Sequence, residues 1–256
     1  MHYNTLIFDA FDTVVHIDWS KLPTHRVNGR VIQTTAPVVH AKYTELFRQT
    51  DFDVFYAAFS QSHREVTARR RLDLREIPCQ ERFRIMLDLL GHSDGDVTDD
   101  AIETLTRAHM GRLQEAFEVR PETLEVLEWV KTRYRTAMIS NFNYAPTLYA
   151  ALNRFGIHSA FEAIMVSAEV GWCKPHPVIF RDTFMRMGIR PSEALFIGDQ
   201  LYLDVYGSLN SGMDVVWIET KEQSDWTPPE FHAADCKPTH IVRSISELIP
   251  LLENKR

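Results

Sequence analysis

Three apolar residues near the start of the chain run straight into a carboxylate: Leu6-Ile7-Phe8-Asp9, continued by Ala10-Phe11-Asp12-Thr13-Val14-Val15. A run of this kind predicts a strand buried on both faces of a parallel sheet. Asp9 then stands at the carboxyl end of that strand, where open α/β sheets bind ligands. A buried aspartate there needs a cation, a hydrogen-bond network or a chemical task. The same stretch is equally compatible with an Asx turn closing the strand, with Asp9 and Asp12 as turn formers. What separates the two readings is whether the rest of the chain brings partners to the same place.

Four further apolar runs follow, at residues 136–139, 163–166, 194–197 and 215–218. Helical spacing separates them: Leu124, Leu127 and Val130 share one face, and helices are predicted over 146–155, 177–187 and 203–210. Residues 219–240 hold Pro228, Pro229 and Pro238 and read as a surface loop, before a closing amphipathic helix over 245–252. Strands alternating with helices imply an α/β fold, a doubly wound parallel sheet with right-handed crossovers.

The segment from residue 36 to about 116 interrupts this order with helical periodicity alone. Val39, Tyr43, Leu46 and Phe47 recur at helical spacing, as do Phe83, Met86, Leu87 and Leu90, then Ile102, Leu105, His109, Leu113 and Phe117. This block reads as a helical layer inserted after the first strand. Ahead of it, Asn28-Gly29 between apolar residues predicts a hairpin near 26–32. Arg69-Arg70-Arg71 reads as a solvated helix face.

Composition removes several function classes. A net charge of -7 argues against a nucleic-acid-binding surface. No apolar run approaches the ~20 residues of a membrane span. Met1-His2-Tyr3-Asn4 shows no basic region leading into an apolar stretch, so a cytoplasmic location is expected. Cys79, Cys173 and Cys236 form no CxxC pair, which argues against a disulfide framework and a zinc cluster.

Four polar clusters stand at strand ends or in the loop after one: Asp9-x-x-Asp12-Thr13, Ser140-Asn141, Lys174-Pro175, and Gly198-Asp199 through Asp204. In a doubly wound sheet such ends share one crevice. Carboxylates brought that close call for a hard cation such as Mg²⁺. A lysine and a hydroxyl beside them would bind an anion. An anion, a divalent cation and a spare carboxylate nucleophile together describe phosphoryl transfer through an aspartyl-phosphate on a small anionic substrate. Gly207-x-x-x-x-Gly212 fails as a phosphate loop, because Met213 stands where lysine is required.

The ordered set of four resembles the haloacid dehalogenase (HAD) superfamily. Its motifs match Phe8-Asp9-Ala10-Phe11-Asp12-Thr13, Ile139-Ser140-Asn141, Gly171-Trp172-Cys173-Lys174-Pro175-His176-Pro177, and Gly198-Asp199 through Asp204. The resemblance implies a catalytic core over residues 1–15 and 119–256, and a helical cap over 16–118 hinged near Val15 and Val119. It also implies roles. Asp9 would be the nucleophile, with Lys174 neutralising it and the anion. Ser140 and Asn141 would hold substrate oxygens, and Thr13 would brace the nucleophile loop beside them. Mg²⁺ would be bound by Asp9, Asp199 and the carbonyl of Phe11, with Asp204 in support.

One departure matters. Phosphatases of the family usually carry a general-acid aspartate two residues after the nucleophile, and here that position is Phe11. Loss of a general acid costs ~10²–10⁴ in rate. Three readings follow, in order: a Mg²⁺-dependent phosphatase with an unusual first motif, the proton coming from Asp12 or water; a metal-independent 2-haloacid dehalogenase, whose halide leaves without a proton; and a non-catalytic binding module on the same fold.

Overall fold

The computed structural model describes residues 3–27, 29–93, 95–220 and 226–253. Met1, His2, Asn28 of the predicted hairpin turn and residues 221–225 of the predicted loop lie outside the described residues.

The chain enters through β1 (Thr5–Asp9), buried along its whole length. Leu6 and Phe8 join one hydrophobic cluster and Ile7 another, as a strand covered on both faces requires. A short strand β2 (His16–Ile17) and a helical turn at Trp19–Lys21 lead outward. Strands β3 (Thr24–Val27) and β4 (Arg30–Gln33) form the predicted hairpin. Val27 lies opposite Arg30, and Gly29 takes a positive φ of 78°, the left-handed backbone that glycine adopts readily.

Four helices follow: α1 (Ala36–Leu46), α2 (Phe52–Asp73), α3 (Cys79–Leu89) and α4 (Asp99–Gln114). Asp51 caps α2 through the amides of Asp53 and Val54, and Thr98 caps α4 through that of Ala101. The four helices share a core of their own, built on Val39, Tyr43, Phe55, Phe83, Met86 and Ile102. The chain returns through β5 (Phe117–Glu118), antiparallel to β2. Two expectations are corrected in this block. Phe117, expected on the last helix, lies in β5 opposite Ile17, because α4 ends at Gln114. Arg70, expected on a solvated face, is buried against Glu76 at 3.1 Å.

The remaining elements are α5 (Pro121–Lys131), β6 (Arg135–Ser140), α6 (Ala145–Arg154), β7 (Ala163–Val166), α7 (Ser167–Val170), α8 (Pro177–Met187) and β8 (Ala194–Gly198). A widened π-type turn at Leu201–Tyr206 runs into α9 (Gly207–Asn210). Then come β9 (Asp214–Ile218), β10 (His240–Val242) and, after a helical turn at Ile245–Glu247, α10 (Leu248–Glu253). The sheet order is β10-β9-β8-β1-β6-β7, with every pairing parallel. Strand β1 therefore lies between β6 and β8, where the order of the sheet reverses. Asp9 is level with Ile139 of β6, and Phe8 with Ile197 of β8, so Asp9, Ser140 and Asp199 open into one crevice. Among the described residues no helix is long and apolar enough to cross a membrane.

Candidate active site

The end of β1, the loop before α8, the end of β8 and the widened turn after it each deliver one ionisable group to this crevice. Asp9, Lys174, Asp199 and Asp204 are 7%, 2%, 2% and 0% exposed. Four ionisable side chains buried so deeply must answer one another. Lys174 donates to the carboxylate of Asp9, and also to Oδ1 of Asp204 at 2.7 Å. The other oxygen of Asp204 accepts from the amides of Asp199 at 3.1 Å and Gln200 at 2.9 Å. The widened turn at Leu201–Tyr206 brings Asp204 back onto those amides. Gly198 is required beneath it, since a Cβ there would stand 2.6 Å from Asp204 Cγ.

Asp199 accepts from the Thr13 hydroxyl at 3.5 Å and from the Gln200 side chain. Its backbone carbonyl is held by the Trp217 indole N–H at 2.8 Å. Oxygens of Asp9, Asp199 and Asp204 lie within 4.8 Å of one another. Burial pushes the Asp9 carboxyl up to about 7 against the pull of Lys174, with Asp204 adding to the rise. Burial, then Asp204 and Asp9, push Asp199 up to about 8. Burial works against the Lys174 ammonium, but Asp204 and Asp9 outweigh it and hold the proton more tightly than usual. With all three carboxylates ionised, the single ammonium would leave two negative charges uncompensated, and burial instead favours keeping protons on Asp9 and Asp199. That deficit, presented by carboxylate oxygens, suits a hard divalent cation.

On the other side of Asp9, Asn141 clasps the lysine loop. Its Oδ1 accepts from the Lys174 amide at 2.7 Å, and its Nδ2 donates to the Lys174 carbonyl at 3.0 Å. The Ser140 hydroxyl is buried without a hydrogen-bond partner, an orphan that an incoming oxygen would satisfy. A cleft of about 360 Å³ opens above, lined by Asp9, Trp19, Asn141, Lys174, Asp199 and Asp204.

The structure thus gathers the predicted residues in one place, with two refinements. Thr13, expected beside the substrate, directs its hydroxyl to Asp199. Asp204 also takes part in hydrogen bonds, its Oδ1 accepting from Lys174 and its Oδ2 from the amides of Asp199 and Gln200. Phe11 packs its ring on Phe117 and Phe142, with centroids 5.2 and 4.9 Å away. Asp12 takes a left-handed φ of 62° and places its carboxylate 3.7 Å from His16. Trp217 and Gln200 were not anticipated. Strand pairing sets Trp217 level with Gly198, a register that no local sequence pattern encodes.

A sequence profile of haloacid dehalogenase-like hydrolases matches residues 3–212. The chain belongs to that family. As a haloacid dehalogenase-like hydrolase it is 29% identical over 130 residues to glyceraldehyde 3-phosphate phosphatase of Pyrococcus furiosus, covering 51% of this chain and 52% of that one. It is 28% identical over 171 residues to ribulose-1,5-bisphosphate 5-phosphatase of Halopiger xanaduensis, covering 66% and 70%. It is also 29% identical over 168 residues to (S)-2-haloacid dehalogenase 4A of Burkholderia cepacia, covering 61% and 69%. The chain spans about half or less of the length of the glyceraldehyde 3-phosphate phosphatases it matches. Among solved structures, the HAD-hydrolase YfnB of Bacillus subtilis, bound to magnesium, superposes with a TM-score of 0.61 at 20% identity, over 98% of this chain and 99% of that one.

Proposed function

We propose that this hydrolase is a Mg²⁺-assisted phosphatase that acts on small phosphate monoesters through an aspartyl-phosphate at Asp9. The observation that carries the reading is the buried charge deficit: Asp9, Asp199 and Asp204 against Lys174 alone. Asp9 and Asp199 would hold the cation, with the Phe11 carbonyl and Asp204 beside them. When bound, Mg²⁺ would offset charge on the phosphoryl oxygens and on both carboxylates.

The chain's own groups then divide the work. Asp9 attacks phosphorus while the bond to the ester oxygen breaks, and the leaving oxygen takes its proton from water or from Asp12. Water next attacks phosphorus, releasing inorganic phosphate and freeing Asp9. Lys174 neutralises charge that builds on the transferring oxygens. The orphan hydroxyl of Ser140 and the amide of Asn141 bind those oxygens from the opposite side. The helices between residues 16 and 118 act as a cap that shields the cleft and selects the substrate, hinged at Val15 and Val119. Relatives named for glyceraldehyde 3-phosphate and ribulose-1,5-bisphosphate support a small phosphorylated carbon skeleton as substrate.

Phe11 favours a second reading. A halide leaves without a proton, so 2-haloacid dehalogenation does not need a general acid at that position. The acidic surplus at Asp199 and Asp204 opposes it, because a carboxylate substrate would enter a field of its own sign.

The deciding experiment measures hydrolysis of an aryl phosphate with and without Mg²⁺ beside halide release from 2-chloropropionate, in wild type and Asp9→Asn. The expected outcome is Mg²⁺-dependent phosphate release that falls by at least ~10³ in the variant. Metal-independent halide release with no phosphate release would sink the phosphatase reading.

A further inference from the structure

Glu76 is a charge of the helical block that is buried with both oxygens engaged. It lies just beyond α2, where Leu74 takes a left-handed φ of 61° and turns the chain toward the sheet. Residues 74–76 then run against residues 171–173 as a short antiparallel bridge. The Cys173 amide donates to the Leu74 carbonyl at 2.8 Å, and the Glu76 amide donates to the Gly171 carbonyl at 3.0 Å. The Glu76 side chain is 1% exposed.

Its two oxygens face different parts of the molecule. Oε1 stays with the helical block, accepting from Arg70 at 3.1 Å and from the Ile77 amide at 2.8 Å. Oε2 reaches into the sheet domain, accepting from the Ser167 hydroxyl at 2.5 Å and from the Cys173 thiol at 3.3 Å. Ser167 in turn accepts from the Phe142 amide at 2.9 Å. Phe142 follows Ser140-Asn141, and Cys173 precedes Lys174. One carboxylate from the helical block therefore braces both loops that carry the anion-binding groups, and Asn141 already ties those loops together.

Arg70 alone could satisfy the charge of Glu76 inside the helical block. Half of its acceptor capacity is instead spent across the boundary, under the loops that present Lys174 and Ser140. If the block moves away, these cross-boundary bonds break together and both loops lose their common anchor.

We infer that Glu76 is a positioning residue, which sets the Ser140-Asn141 and Lys174 loops in register only while the helical block is seated on the sheet domain. The inference rests on the phosphatase reading only for what those loops bind. Seating and competence are then coupled through a group that never touches substrate. Lys174, the residue after Cys173, in turn donates to Asp9 and Asp204, so the network reaches the carboxylate cluster through the lysine.

Cys173 provides a reporter. It is buried against Glu76, burial raises its thiol pKa, and it becomes reactive only when residues 74–76 lift. Cys236, buried elsewhere in the sheet domain, is the internal control. The full chain is labelled with N-ethylmaleimide under native conditions, and modification of each cysteine is followed by peptide mass spectrometry. Wild type, Glu76→Gln and Ser167→Ala are compared, and kcat and KM are measured in parallel on an aryl phosphate.

In Glu76→Gln the expected result is a rise of about tenfold in Cys173 labelling, none at Cys236, and a fall of about tenfold in kcat. Ser167→Ala, which leaves no charge unpaired, should shift labelling and kcat the same way by about threefold. Cys173 labelling at the wild-type rate in both variants overturns the inference. Parallel acceleration at all three cysteines overturns it too, since that reports global loosening. Faster Cys173 labelling with unchanged kcat leaves Glu76 a structural residue only. The labelling arm needs no turnover. A wild type inactive on the ester, with Cys173 still opening selectively in Glu76→Gln, defeats the phosphatase reading and leaves the anchoring role of Glu76 standing.

Discussion

Phe11 shows how one side chain can change chemistry while leaving a binding site whole. Its ring joins Phe117 of the returning strand and Phe142 of the loop after β6, so it ties three segments together by apolar contact. An aspartate there would supply the missing proton donor and lose those contacts. In Phe11→Asp, turnover of an alkyl phosphate should rise at least ~10-fold relative to an aryl phosphate, because only the poorer leaving group needs the proton. The ratio of the two kcat/KM values is the measurement to make, since it is indifferent to the fraction of protein folded. A lower melting temperature should accompany it, from a loss of about 1–3 kcal/mol of aromatic packing. An unchanged ratio would mean that Asp12 or water already serves as proton source, and that Phe11 is there for packing alone.

At the scale of the element, the end of β8 leaves no room for a side chain at Gly198. Gly198 lets Asp204 close onto the amides of Asp199 and Gln200, and a Cβ would sit 2.6 Å from its carboxylate carbon. Gly198→Ala should therefore cost about 2–4 kcal/mol in stability, by overpacking and by displacing a carboxylate that also pairs with Lys174. It should also weaken Mg²⁺ binding at least ~10-fold, seen by calorimetry. Full Mg²⁺ affinity in that variant would mean Asp204 does not orient the site.

Elements with sharp boundaries were the ones the amino-acid sequence disclosed. Helix α8 begins at Pro177 and ends before Gly188 at φ 62°, and β7 spans the four apolar residues expected of it. Strand β10 escaped notice because three residues are too few to show alternation, and Ile241 is 57% exposed. Arg70 escaped because a helix places the middle of three arginines inward only if a buried partner waits for it, and Glu76 is supplied by the loop beyond the helix. The four motif clusters were legible as chemistry. The residues that hold them, Trp217 and Glu76, were not, since tertiary register alone brings them there. Gly207, set aside as part of a phosphate loop, has a packing role: a Cβ there would meet Pro175 and Phe180 at 2.9 Å.

For the molecule as a whole, the buried charge surplus makes stability depend on pH and on cation together. Asp9 and Asp199 hold their protons up to about 7 and about 8, against an ordinary 3.8. Between roughly pH 4 and 8 the folded chain therefore binds more protons at these sites than the unfolded chain does. Their contribution to stability is complete below the unfolded value and is lost as pH rises through the folded ones, so the metal-free protein should melt at progressively lower temperature across that window. Mg²⁺ binds the ionised carboxylates, so its effect should run the opposite way. At about 100 times its dissociation constant it adds about 2.7 kcal/mol, near zero at pH 5 and fully expressed at pH 8.5. For a chain of this size that is a rise of ~5–10 °C in melting temperature at the higher pH. Thermal melts in chelator and in Mg²⁺, taken from pH 5 to 8.5, would show two curves diverging upward in pH, and Asp199→Asn should bring them together. Curves that coincide at pH 8.5 in the wild type would mean that no divalent cation fills the deficit. Phosphoryl transfer at Asp9 would then lose its physical basis, and the metal-independent chemistry suggested by Phe11 would take its place.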